Sequence, residues 1–392
     1  MTSRMTPRLT PRELLAQLVA FPTVSTGSNL DLIGWTEEYL ASHGIESHRH
    51  AKPSEPELKA ALFAHVGSEV EGGVVLSGHT DVVPVEGQAW SSDPWVLTER
   101  EGRLYGRGST DMKAFDALAL WALVEAKHRG VTRPLQLAFS YDEEIGCEGA
   151  IDLVAAMQGV VPKASAVIVG EPTMLKPVTG HKGGRSFEIH VHGVEVHSSI
   201  LETGVSAIMW GAKLIDWCNE INAECAAAEP GPVAALFTPP HTNVHVGQIR
   251  GGTAQNITAK DCKFPLGFRV VPGEDPEYWT GRLMDKVAEL TAQMQAVRPE
   301  SWIEVREAFN LPPFAPTADN RAEELVRQIT GDNAKRHVSY GTEASHFQNG
   351  GYDVVVCGPG DIGIAHQPDE SIAVSQLQAG QDFMEKLLER LA

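Results

Sequence analysis

At 392 residues, 42% hydrophobic and 21% charged, the chain has the composition of an ordinary globular protein and is too long for a single hydrophobic core to be expected. A formal net charge of −19 excludes nucleic acid as a natural partner and argues against anionic membranes, since both are bound through basic surface. No run approaches membrane-spanning length, and the opening "MTSRMTPRLTPRELL" lacks the apolar core of a secretory signal, so a cytoplasmic protein is expected.

Thr10-Pro-Arg-Glu13 combines a capping box with proline at the first helical position, and Leu14, Leu15, Leu18 and Val19 follow at helical spacing, so the chain opens with a helix. Short apolar runs then alternate with helical patterns: "ALFAHV", "VVLSGH", a helix from about Asp116 to His128 stopped by Gly130, "LQLAFSYD", a helix near 149–157, and "AVIVGE". This alternation predicts an α/β fold with a largely parallel sheet. From about Lys182 the pattern changes. "GRSFEIHVHG" reads as an amphipathic strand, followed by a helix from about Gly204 to Asn222, the strands "NVHVGQI" and "CKFPLGFRV", a helix near 276–296, and the strand "SWIEVREAF". The order βαββαβ is that of a ferredoxin-like α+β domain. The Pro-rich "NLPPFAPT" (310–317) is the expected return, after which come a helix near 319–330, the strand "DVVVC" and a final helix from about Ser375. Residues 1–181 and 311–392 are thus expected to form one discontinuous domain, with 182–310 inserted into it.

Ligands of α/β sheets gather beyond the carboxyl ends of the strands. There the sequence places His79 after "VVLSG", Glu143 and Glu144 after "LQLAFSYD", Glu171 at the end of "AVIVGE", and His366 in the loop after "DVVVC". Asp111 lies in the loop "GRGSTDMK". Taken alone, Asp111 could equally cap the helix that follows, and the paired glutamates could be a charged loop. Taken together, two imidazoles and three carboxylates (His79, Asp111, Glu144, Glu171, His366) suit two borderline divalent ions such as zinc, cobalt or manganese, one carboxylate bridging. Asp81 is placed to accept the second N–H of His79, and Glu143, spare beside a ligand, to act as general base. Other motifs carry less. His190 and His192 in "HVH" alternate with Phe187, Ile189 and Val191, so they are read as solvated residues facing away from the core. The five cysteines (Cys147, Cys218, Cys225, Cys262 and Cys357) form no CxxC pair and are read as reduced thiols. Gly358-Pro-Gly-Asp-Ile-Gly363 is a formal GxGxxG, but a dinucleotide fingerprint needs a helix directly after the glycines and then another strand, and Pro368 opposes that helix. The stretch is read instead as a turn that carries His366 back.

"SGHTDVVP", "YGRGSTDMK", "YDEEIGCEG", "GEPT" and "AHQPDE", with "GVEVHSS" and "GGTAQNIT" in the insert, resemble in their order the signatures of the dinuclear-zinc M20 peptidase family, and within it the acetylornithine deacetylase branch. The resemblance implies a metal-dependent amidohydrolase acting on a small N-acyl amino acid, N-acetylornithine first, in arginine biosynthesis. It implies two divalent ions, zinc or alternatively cobalt: His79 and Glu171 on one, Glu144 and His366 on the other, Asp111 between them. Asp81 would orient His79, and Glu143 would be the catalytic acid/base. The insert would be a lid and homodimerisation domain, its His197 reaching a partner's site to stabilise the oxyanion, with Asn256, Arg269 and Lys182 contacting substrate. From the residues alone, His197 is equally a helix-capping histidine. Ala114 after "DMK" and Ser345 after "GTEA" depart from the glycines common in the family. The alternatives are another M20 hydrolase (succinyl-diaminopimelate desuccinylase, an aminoacylase or a carboxypeptidase) and, outside catalysis, a silent metal-stabilised binding protein.

Overall fold

The computed structural model describes residues 7–392. The first six residues of the opening segment read above lie outside the described residues. The chain divides into two compact units: residues 1–179, 317–336 and 342–392, and residues 180–316 with 337–341.

In the first unit, α1 (Pro11–Val19) and α2 (Leu30–Ser42) precede β1 (Ser47–Ala51), β2 (Ala60–Val66), β3 (Val74–His79) and a small hairpin, β4 (Thr98–Arg100) and β5 (Arg103–Tyr105). Then follow α3 (Lys113–Arg129), β6 (Leu135–Ser140), α4 (Glu148–Met157) and β7 (Ala166–Pro172). The expected capping box of α1 is formed: Thr10 and Glu13 exchange side-chain and backbone hydrogen bonds. α3 is three residues longer at its start than its apolar pattern suggested and ends on Gly130 in the left-handed region (φ 67°). It is apolar on nearly every side because it packs against α1 and α9 as well as against the sheet.

The second unit contains β8 (Gly183–His192), α5 (Ala207–Ala227), β9 (Asn243–His245), β10 (Arg250–Gly251), β11 (Asp261–Val270), α6 (Pro276–Gln295) and β12 (Trp302–Leu311). Its sheet is antiparallel in the order β10-β11-β8-β12, with β9 also on β11. One face, carrying Phe187, Ile189, Val191, Phe264, Leu266 and Ile303, packs in a core with Leu214, Trp217, Leu283 and Leu290 of the two helices. Two expectations need correction here. "NVHVGQI" is not one strand but β9 and β10, separated by an unpaired stretch. α5 begins at Ala207 rather than Gly204, because Val205 is drawn into a backbone pair with Val194.

The chain returns to the first unit with α7 (Arg321–Thr330), α8 (Ala344–Asn349), β13 (Val354–Gly358), β14 (Ser371–Ala373) and α9 (Val374–Leu391). The return falls at residue 317 rather than 311, and residues 337–341 group with the second unit, where Val338 N–H donates to Gly180. The main sheet runs β1-β2-β6-β3-β7-β13, and β3, β6, β7 and β13 are mutually parallel. Gly358 is there for strand packing: a Cβ would lie 1.9 Å from the Gly170 carbonyl oxygen of β7. The residues after it form a 3₁₀ turn (Ile362–Ile364) capped by Asp361, with no long helix directly following. All five cysteines are buried and unbridged, and no helix of the described residues is long and apolar enough to cross a membrane.

Candidate metal centre

The four parallel strands end on one side of the main sheet, and their ends hold the chemistry. His79 is the last residue of β3, Glu171 lies near the end of β7, and Glu143 and Glu144 form a 3₁₀ turn just after β6. Asp111 precedes α3 and does not cap it; its two carboxylate oxygens face two imidazoles. Oδ1 lies 3.1 Å from Nε2 of His79 and Oδ2 lies 3.1 Å from Nε2 of His366. Nε2 of His79 is also 3.9 Å from Glu171, and Nε2 of His366 is 2.9 Å from Glu144. Ligand-capable atoms of His79, Asp111 and Glu144 lie within 4.8 Å of one another, as do those of His79, Glu143 and Glu171. All six residues belong to the first unit.

The residues that hold this cluster were only partly anticipated. The expected contact between the Asp81 carboxylate and His79 is a long one, 3.8 Å. Nδ1 of His79 lies instead 2.9 Å from the main-chain carbonyl of Asp81. The Asp81 carboxylate accepts from Ser25 Oγ (2.7 Å) and from the backbone N–H groups of Glu143 (3.1 Å) and Glu144 (3.3 Å). Asp81 therefore positions both the imidazole and the glutamate turn, through different atoms. Glu370, unassigned in the sequence although it closes "AHQPDE", accepts from the backbone N–H groups of Gly108 (3.1 Å), Thr110 (2.8 Å) and Asp111 (3.0 Å). It is also paired at 2.7 Å with buried Arg107. A fully buried acid at the end of the motif thus sets the loop that presents Asp111. Asp142, next to the glutamates and equally unassigned, is held by Lys59 and by Lys52 at 2.8 Å. Cys147 places its Sγ 3.1 Å from Oε1 of Glu143.

The electrostatics of the cluster run short of positive charge. Burial, reinforced by the charges of Asp111 and Glu143, pushes Glu171 well above the usual carboxylate range, and its Oε1 is buried with no hydrogen-bond partner. Burial likewise raises Glu144, and raises Glu143 to about 8. The imidazoles move the other way. Hydrogen bonds to Asp111 and Glu144 raise His366 to about 10, and the acidic surroundings of His79 raise it despite its burial. Carboxylates driven toward neutrality beside imidazoles driven toward protonation are relieved together by divalent cations, which leave the carboxylates ionised and the imidazoles neutral. The donor set therefore fits zinc-like ions.

The remaining expected site residues lie in the second unit. His197 caps the 3₁₀ turn Ser198–Thr203, its Nδ1 accepting from Ser199 N–H at 3.2 Å, and Ser198 N–H donates to the carbonyl of Asn256 at 3.0 Å. Both His197 and Asn256 are exposed and adjacent, so the capping reading of His197 is realised geometrically without engaging its other ring nitrogen. Arg269 is exposed on β11 opposite Asn243 and Gly184. Lys182 is different: it is buried, and its ammonium donates to the carbonyl of His241 at 2.9 Å.

The profile of Peptidase family M20/M25/M40 matches residues 75–390. An acetylornithine deacetylase of Myxococcus xanthus is 34% identical over 377 residues, covering 93% of each chain. One from Proteus mirabilis is 33% identical over 383 residues, covering 96% of this chain and 95% of its own. Among solved structures, an M20 family metallo-carboxypeptidase from Sulfolobus solfataricus superposes with a TM-score of 0.78 at 18% identity over 97% of this chain and 99% of its own. A dinuclear metal-binding M20 peptidase from Bacillus subtilis gives 0.66 at 14% identity, with 97% of each chain covered.

Proposed function

Because the chain belongs to peptidase family M20/M25/M40 and is a metal-dependent amidohydrolase, we propose that it hydrolyses the amide of an N-acyl amino acid, N-acetylornithine foremost, to ornithine and acetate. The observation that carries the reading is the cluster in which buried Asp111 faces buried His79 with one oxygen and the more exposed His366 with the other, while Glu143 stands beside it outside those pairs. The names of the curated relatives supply the substrate class.

In this reading His79, Asp111, Glu144, Glu171 and His366 would hold two divalent ions, His79 with Glu171 and Glu144 with His366, Asp111 contributing to each. When bound, such ions would supply Lewis acidity to the amide carbonyl and would acidify a water. Glu143 takes the proton from that water and returns it to the leaving amine nitrogen, so no net proton is gained or lost by the residue. Cys147, as a donor to Oε1, limits the rotamers of Glu143. The second unit acts as the lid and dimerisation domain, and His197 from a second copy stabilises the oxyanion, with Asn256 and Arg269 on the substrate.

The test is a turnover panel of N-acetylornithine, N-succinyl-diaminopimelate and N-acetylmethionine, run after chelation and after readdition of Zn²⁺ or Co²⁺. Metal-restored activity greatest on N-acetylornithine is expected. Greater activity on either other substrate overturns the substrate assignment, and activity that survives chelation overturns the metal centre.

A further inference from the structure

The "HVH" of β8 does not sit loose in solvent. His190 and His192 are two residues apart on a strand and so share the sheet face opposite the core that β8 forms with α5 and α6. The neighbouring strands complete that face. Asp261 of β11 and Trp302 of β12 are directly opposite His192, and Glu304 of β12 is opposite His190. Nε2 of His190 lies 2.7 Å from Oδ1 of Asp261. Oε2 of Glu304 lies 3.3 Å from Nε2 of His192 and 3.8 Å from Nδ1 of His190. Ligand atoms of His190, His192 and Asp261 fall within 4.8 Å of one another. The indole of Trp302 stacks flat on His192, with centroids 4.5 Å apart and planes 2° apart, and so fixes the plane of that ring.

We propose that this constellation is a metal site, taking one zinc-like divalent ion on His190, His192 and Asp261, with Glu304 as fourth ligand or as the partner that orients an imidazole. The donor set is two nitrogens and one or two carboxylates, which favours zinc, nickel or copper over magnesium or calcium. The three ligands come from two rigid strands, with Glu304 from a third, and strand pairing already holds them in register. The two imidazole centroids are only 3.7 Å apart, which brings both rings within reach of a single ion. Lys263, opposite His190, is exposed and among the described residues forms no ion pair with either carboxylate. The bound ion would cross-link β8, β11 and β12 and stabilise the second unit by mass action. Every residue involved lies within that unit, so the proposal is independent of the catalytic reading.

Zinc per chain is measured by elemental analysis after the full-length protein is dialysed against micromolar free Zn²⁺. The native chain should retain one more zinc than His190→Ala/His192→Ala, and the same difference should appear when both carry Glu171→Gln, so a failure of the catalytic centre is distinguishable. Equal zinc contents in either background overturn the site and leave an ion-pair network. Should the double variant not fold, the native chain and Trp302→Phe are titrated with Ni²⁺. A saturable fluorescence quench present only with Trp302 is expected, and its absence overturns the proposal.

Discussion

Glu143 and Glu144 are adjacent and both carboxylic, yet the fold separates their tasks. Glu144 is engaged at 2.9 Å by His366, while Glu143 lies beside His79 and Glu171 with Cys147 donating to its Oε1. Replacing Glu143 with alanine is expected to lower kcat by at least about 100- to 10,000-fold while leaving metal content equal to that of the native chain. Turnover and elemental analysis of the same preparation check this, and retained activity removes the base assignment. Asp116 poses the opposite case. Both its carboxylate oxygens are buried without a partner, and burial raises its pKa well above the usual range. A carboxyl with a raised folded-state pKa binds more protons folded than unfolded, so it costs stability as pH rises above the ordinary aspartate value of about 3.9. Asp116→Asn is therefore expected to be more stable than the native chain at pH 7, by roughly 1–3 kcal/mol. That advantage should shrink as the pH falls toward 4. Denaturant melts at the two pH values measure it, and a native chain more stable at pH 7 contradicts the account.

At the scale of elements, the loop from Gly106 to Asp111 is the least self-sufficient part of the centre. Three of its backbone donors, the N–H groups of Gly108, Thr110 and Asp111, end on one buried acid, Glu370, which also pairs with buried Arg107. Glu370→Ala removes the carboxylate from beside that buried guanidinium, which keeps Gln88, and leaves three N–H groups without their acceptor, so a loss of about 3–5 kcal/mol is expected. Metal content should fall with it, because Asp111 is no longer held; a stable variant with full metal content would mean that the loop is fixed by other contacts. The strands and helices themselves were largely legible, since period-2 and period-3.6 patterns report burial directly. Errors clustered where a backbone partner overrode the pattern: Val194 claims Val205 before α5, and β11 takes β9 and β10 as two separate short partners. In the same way GxGxxG was a real string with another cause, for Gly358 answers to the close approach of β7.

At the scale of the whole molecule, the proposed function requires residues of the second unit, and its sharpest test uses two damaged chains. His197→Ala and Glu143→Ala are each expected to be nearly inactive alone, the first losing about 100- to 1,000-fold if His197 donates to the oxyanion. Mixed and reassociated, they should recover part of the native turnover, because one site in each heterodimer carries both intact residues. No recovery counts against a site shared between subunits, while His197→Ala activity near native shows the histidine to be the cap of Ser198–Thr203 and nothing more.

The amino-acid sequence by itself determined the α/β character and which acidic and histidine residues stand at strand ends, because alternation and position along a strand are one-dimensional properties. Only the tertiary structure decided which of those residues meet. The pairing of Asp111 with both His79 and His366, the use of the main-chain carbonyl of Asp81 in place of its carboxylate, the burial of Lys182 and the grip of Glu370 on a loop some 260 positions away all depend on segments brought together by packing. The same holds for His190 and His192, whose alternation predicted the face they occupy but not the Asp261, Glu304 and Trp302 that neighbouring strands set against them. Contacts between strands far apart in the chain are fixed by register, and register is settled by the folded core rather than by any local run of residues.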